Sequence, residues 1–155
     1  MLEISEDLLR KYVTKPEPLP KNHPGVQNLW RQVNEAFQSR DALSVLDFAS
    51  DLLGVGCREV RMFYLIAWAH YKLWEFARAK KWLEFALKLY PRDIELKMLL
   101  AEIFILEQNP NSAIDLLSEI PIRENMSIET RNKLAELIDR ATKNPTFSFG
   151  KKLLN

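Results

Sequence analysis

The chain has 155 residues, 47% of them apolar and 28% charged, which is enough apolar material for one core. Its 22 Lys and Arg stand against 21 Asp and Glu, and a net charge of +1 gives no field to draw in nucleic acid or an anionic membrane. One cysteine excludes an internal disulfide and a Cys-based zinc site, and two histidines and four glycines argue against other metal sites and Gly-rich phosphate loops.

The opening stretch, MLEISEDLLRKYV, is acidic early and has no long apolar run, so it does not read as a secretory signal. Ser5 reads as the N-cap of a short helix over 6–13, with Leu8, Leu9 and Tyr12 on one side. Residues 15–25, KPEPLPKNHPG, hold four of the eight prolines and are expected to be extended. Apolar spacings of three and four then predict helices over 25–38, 42–53, 58–73, 76–89, 93–107 and 110–119. Pro91, Pro110 and Pro121 punctuate their boundaries. Ser127 reads as the cap of a last helix, SIETRNKLAELIDRATK, whose apolar face is Leu134, Leu137, Ile138 and Ala141. The tail, 144–155, is expected to be loose.

No segment alternates with period two, so the expected fold class is all-α with no sheet. The most apolar run, Met98 to Leu106, contains Glu102 and falls far short of the ~20 residues that span a bilayer. The expectation is a cytoplasmic protein with a reduced Cys57 and no direct membrane insertion.

The chain also repeats itself. Stepping by 34 carries Ile66 to Leu100, Ala67 to Ala101, His70 to Phe104, Ala79 to Ala113, Leu83 to Leu117 and Ala86 to Ile120. Stepping back reaches Val33, Ala36, Val45, Ala49 and Leu52. The alanines let two helices approach closely while large apolar residues fill the space between them. Three repeats of one helix pair each are expected over 26–59, 60–93 and 94–126, after an N-terminal helix and arm over 1–25 and before a capping helix over 127–143.

Phe63, Ile66, Ala67, His70, Ala79, Leu83 and Pro91 fall at the places of the tetratricopeptide signature, W-x2-L-G-x2-Y, A-x3-F and P. The sequence resembles a tetratricopeptide repeat protein over about two-thirds of its length. Ala67 replaces the usual Gly, His70 the usual Tyr, and Trp74 stands at the usual glycine of the inter-helix turn. The resemblance implies a right-handed superhelical array whose concave side is lined by the first helix of each repeat. The segment REVRMFYLIAWAHYKLWEFARAKKWLEFALKLYP is also similar to the second repeat of the mitochondrial fission adaptor family, which implies an arm near the groove; that family ends in a membrane anchor, which is not expected here.

On the face that the resemblance makes concave lie Trp30, Asn34 and Phe37 in the first repeat, with Gln27 and Gln38. The second repeat places Arg61, Tyr64, Trp68, Tyr71 and Lys72 there. The third places Met98, Glu102 and Ile105, with Glu95 and Leu106. Spacings of three and four put each set on one stripe. Five aromatics on such a surface are typical interface anchors. Some tetratricopeptide cochaperones hold a carboxylate with a Lys-Asn-Asn-Lys-Arg clamp. Here only Asn34 matches, and Trp30, Leu65, Glu95 and Leu99 hold the other places, so that activity is not carried over.

No enzyme chemistry is expected. Cys57 has an Arg58 neighbour but no histidine pairing, and His70 is expected in the interior. Carboxylate pairs such as Asp115/Glu119 and Glu136/Asp139 read as solvated helix faces. The expectation is a non-catalytic scaffold or adaptor without cofactor or metal. Its groove would hold a mainly apolar protein or peptide with an acidic flank, and the tethered proline arm can occupy it. The alternatives are a homo-oligomeric module with a self-occupied groove, and a fission-type membrane-dynamics adaptor lacking its anchor.

Overall fold

The computed structural model describes residues 19–145. Among them seven helices follow one another: α1 (Pro24–Gln38), α2 (Ala42–Gly54), α3 (Val60–Lys72), α4 (Phe76–Leu89), α5 (Ile94–Leu106), α6 (Pro110–Ser118) and α7 (Ile128–Thr142). The described residues contain no strand. All these boundaries fall within two residues of the expected ones. The helix expected over 6–13 lies outside the described residues.

The starts are set by side-chain caps. Asp41, Asp93, Asn109 and Ser127 accept from the amides of Ser44, Leu96, Ser112 and Thr130, relieving donors that the first turn leaves without partners. Pro24 and Pro110 stand in first turns, where a missing amide costs nothing. The ends share one device. Arg40, Trp74 and Gln108 have φ of 57°, 60° and 60°, in the left-handed region. After α1 the amide of Asp41 donates to Ala36 and that of Arg40 to Phe37; Glu75 to His70 and Trp74 to Tyr71 follow suit, then Asn109 to Phe104 and Gln108 to Ile105. This double bond closes a helix into a tight turn. Gly56, at φ 88°, does the same after α2.

The elements recur at one interval. α2, α4 and α6 begin at 42, 76 and 110; α3, α5 and α7 begin at 60, 94 and 128. Each step is 34 residues, as is each step between Arg40, Trp74 and Gln108.

Two compact units divide the chain, Met1–Trp82 and Leu83–Asn155, the division falling inside α4. In the first, α1 packs on α2 and α2 on α3. Val33, Val45, Ala49, Leu52, Phe63, Ile66 and Ala67 are wholly buried there, and Phe63 faces Trp82 of α4 with ring centroids 6.3 Å apart. The described part of the arm is tied to the α2–α3 connection. The Leu19 amide donates to the Val55 carbonyl at 3.1 Å, and Lys21 pairs with Glu59 at 3.1 Å. That is the end of α3 opposite Tyr71 and Lys72; residues 15–18 lie outside the described ones.

In the second unit α5 packs on α6, and α7 packs on both. Its core joins Met98, Ala101 and Ile105 of α5, Ala113 and Leu117 of α6, and Leu134, Leu137 and Ala141 of α7. Leu134 and Leu137 thus cover the last pair as expected. Ile138 does not: it is 38% exposed, because it lies on the flank of α7 and not beneath it.

Candidate interaction site

Five of the eleven expected groove residues meet in the N-terminal unit. Phe37 of α1 meets Trp68 of α3 edge-on, ring centroids 4.6 Å apart. The Arg61 guanidinium lies over the Phe37 ring, 5.2 Å from its centroid. Lys72 Nζ lies 5.9 Å from the Trp68 ring and 5.4 Å from that of Tyr71. Local helix geometry explains the cluster: residues 61, 64, 68, 71 and 72 share one face of α3, and 30, 34 and 37 share one face of α1.

Exposure grades the set. Trp68 is the floor, only 8% exposed. Trp30, Phe37, Tyr64 and Tyr71 are half-buried, while Asn34, Arg61 and Lys72 are exposed. Each cation is therefore held over aromatic faces at the surface, an interaction worth ~0.5–1 kcal/mol when exposed. The cluster extends past α3. Trp74 is 76% exposed and lies 5.5 Å from Phe76, whose ring is 6.1 Å from that of Tyr71. Its place at the turn glycine marked Trp74 in the sequence, but only the left-handed turn brings it beside Phe76.

The remaining three residues belong to the C-terminal unit, and two correct the expectation. Met98 and Ile105 are 4% and 6% exposed and belong to the core, because the Leu134, Leu137 and Ala141 stripe of α7 packs on α5. Glu102 is half-buried and pairs with Arg140 at 3.4 Å. The surface there is an open depression of about 690 Å³, with Glu102, Glu129, Asn132, Lys133, Glu136 and Arg140 among its walls. It mixes charged side chains, the Glu102–Arg140 pair among them, with Ile128 and Leu137, and has no aromatic residue in its lining, unlike the surface of the first unit.

Cys57 is half-buried, and burial pushes its thiol pKa up, the wrong direction for a nucleophile. His70 is 5% exposed and, among the described residues, its Nδ1 has no hydrogen-bond partner, with Glu75 Oε1 at 3.6 Å. It is interior as expected, with the Glu75 carboxylate beside it. Burial pushes its pKa down, and the Glu75 carboxylate opposes this in part. Glu119 and Asp139, expected on solvated faces, pair with Lys97 and Lys143. Among the described residues no three His, Cys, Asp or Glu side chains are grouped to hold a metal. No helix among them is long and apolar enough to cross a membrane.

Compared with known proteins, the chain matches no family model and no curated sequence.

Proposed function

We propose that the chain is a tetratricopeptide-type helical array that works as a non-catalytic interaction module. The 34-residue recurrence of helix starts and left-handed turns supports the class. On this reading the aromatic surface of α1 and α3 receives a mainly apolar peptide or helix carrying acidic residues at its edge.

One observation carries the choice of partner. Among the described residues, Arg61 and Lys72 rest on the rings of Phe37, Trp68 and Tyr71 and make no ion pair with a carboxylate. Their charge is held at the rim of an aromatic floor, and no acid among the described residues neutralises it. A partner that covers the rings with apolar groups and meets the cations with Asp or Glu gains both packing and charge complementarity. The surface is built from packed helices, so little ordering cost falls on this side.

The test is selection of displayed helical peptides on the intact protein. Enriched sequences should combine large apolar residues with Asp or Glu, and their binding should weaken with added salt. Arg61→Glu and Lys72→Glu should each abolish it. Enrichment of basic peptides, or binding indifferent to both substitutions, overturns the reading.

A further inference from the structure

α7 stands where the first helix of another pair would stand, its start at Ile128 following Val60 and Ile94 by steps of 34. The same interval aligns Phe63, Ala67 and His70 of α3 with Lys97, Ala101 and Phe104 of α5, and with Arg131, Ala135 and Ile138 of α7. In α3 and α5 this stripe meets a second helix. Ala67 and Ala101 are both 0% exposed. Phe63 faces Trp82 of α4, and Lys97 holds Glu119, the residue capping α6, at 3.4 Å.

Among the described residues, no second helix covers this stripe in α7. Ala135 is exposed, Ile128 is 76% exposed and Ile138 38%. Two isoleucines thus flank a small residue on open surface, beside the buried stripe of Leu134, Leu137 and Ala141. In sequence, residues 144–155 match a second helix poorly. Phe147 falls at the place of Ala79 and Ala113, and Lys151 at that of Leu83 and Leu117. The seat takes a small residue and then an apolar one.

We propose that a second copy of this chain covers this stripe, the two α7 helices lying antiparallel about a two-fold axis at Ala135. Charge decides both the occupant and its direction. In an antiparallel pair, residues equally spaced before and after 135 face each other, so Arg131 meets Asp139 of the partner copy twice. A parallel pair would set like charges together. Ala135 meets its own equivalent, which lets the backbones approach closely, and Ile138 packs against Asn132 of the partner copy. Such a contact is self-complementary and closes after two copies. Arg131 is already fixed at the stripe's edge: one of its nitrogens donates to the Arg123 and Glu124 carbonyls at 2.8 Å each. The guanidinium has further donors, which suit a carboxylate acceptor. Among the described residues Asp139 is paired by Lys143 at 2.9 Å, an exposed pair of small net worth.

Analytical ultracentrifugation of the intact chain across a dilution series tests this, beside Ala135→Cys in a Cys57→Ser background. Mass should rise from one copy to two with concentration, and the Ala135→Cys variant should form an intermolecular disulfide under mild oxidation. Arg131→Asp and Asp139→Arg should each raise the dissociation constant about tenfold, and the double swap should restore it. Arg131→Asp also removes two loop contacts, so Asp139→Arg and the disulfide provide the independent readouts. A single copy at every concentration overturns the proposal, as does a dimer indifferent to both charge reversals. So does an Ala135→Cys variant whose introduced thiol is shielded from maleimide at every dilution, which would assign the stripe to the chain's own residues.

Discussion

His70 Nδ1 stands 3.6 Å from Glu75 Oε1 and makes no hydrogen bond among the described residues, although the side chain is buried, 5% exposed. Burial is the larger influence and lowers the pKa from 6.5; Glu75 opposes it, and Arg78, itself paired with Glu75, adds to the lowering. Below pH 6.5 the unfolded chain takes up this proton before the folded one does. Stability is therefore lost as pH falls from about 6.5 through the depressed folded value. Phe104 fills the corresponding place 34 residues on, so His70→Phe keeps an aromatic there and removes the titration. Melting temperature against pH should fall less steeply for His70→Phe than for the wild type over this window. Parallel curves would rule the histidine out as the cause.

Arg40 occupies a left-handed conformation, φ 57°, on an exposed turn. An L side chain there costs roughly 1–2 kcal/mol relative to glycine, offset in part by glycine's greater freedom in the unfolded chain. Arg40→Gly should raise stability by about 0.5–1 kcal/mol in chemical denaturation, since the two capping bonds from Arg40 and Asp41 are backbone bonds and survive the change. A destabilised variant would mean that the Arg40 side chain does more than cap.

Leu137 and Ile138 are neighbours with opposite surroundings, 1% and 38% exposed. Leu137→Ala should cost about 2–5 kcal/mol, because it opens a hole in the core shared by α5, α6 and α7. Ile138→Ser, measured at low protein concentration where single copies dominate, should cost far less. Equal losses would mean that α7 is rotated from the orientation described.

Much of this was legible in the sequence because proline, capping residues and apolar spacing agree at nearly every helix boundary. Trp74 stood out in the sequence only as a departure at the usual glycine place; the left-handed turns at Arg40, Trp74 and Gln108 were not legible, since none of these residue types signals positive φ. Met98 and Ile105 were misplaced for a definite reason. The run from Met98 to Leu106 is apolar on almost every side, so its periodicity carries no information about which face is covered. Only tertiary packing shows that α7 shares that core. The Glu102–Arg140 pair spans 38 residues and left no local trace.

Trp68 and Lys72 lie one turn apart on α3 and separate folding from binding at the proposed site. Trp68 is 8% exposed and its ring packs edge-on against Phe37 at 4.6 Å. Trp68→Ala should therefore cost about 3–5 kcal/mol, contrary to what a surface anchor would lose. Loss of binding in that variant would not distinguish a missing contact from a loosened α1–α3 arrangement. Lys72 is exposed and lies over two rings that remain packed without it. Lys72→Ala should change stability by no more than about 1 kcal/mol, while weakening an acidic peptide selected on the intact surface. Urea titration of both variants, run beside peptide binding, checks the division. A Lys72→Ala protein that loses several kcal/mol would show that the cation serves the fold, and the rim would then be a structural clasp with no charge left to offer a partner.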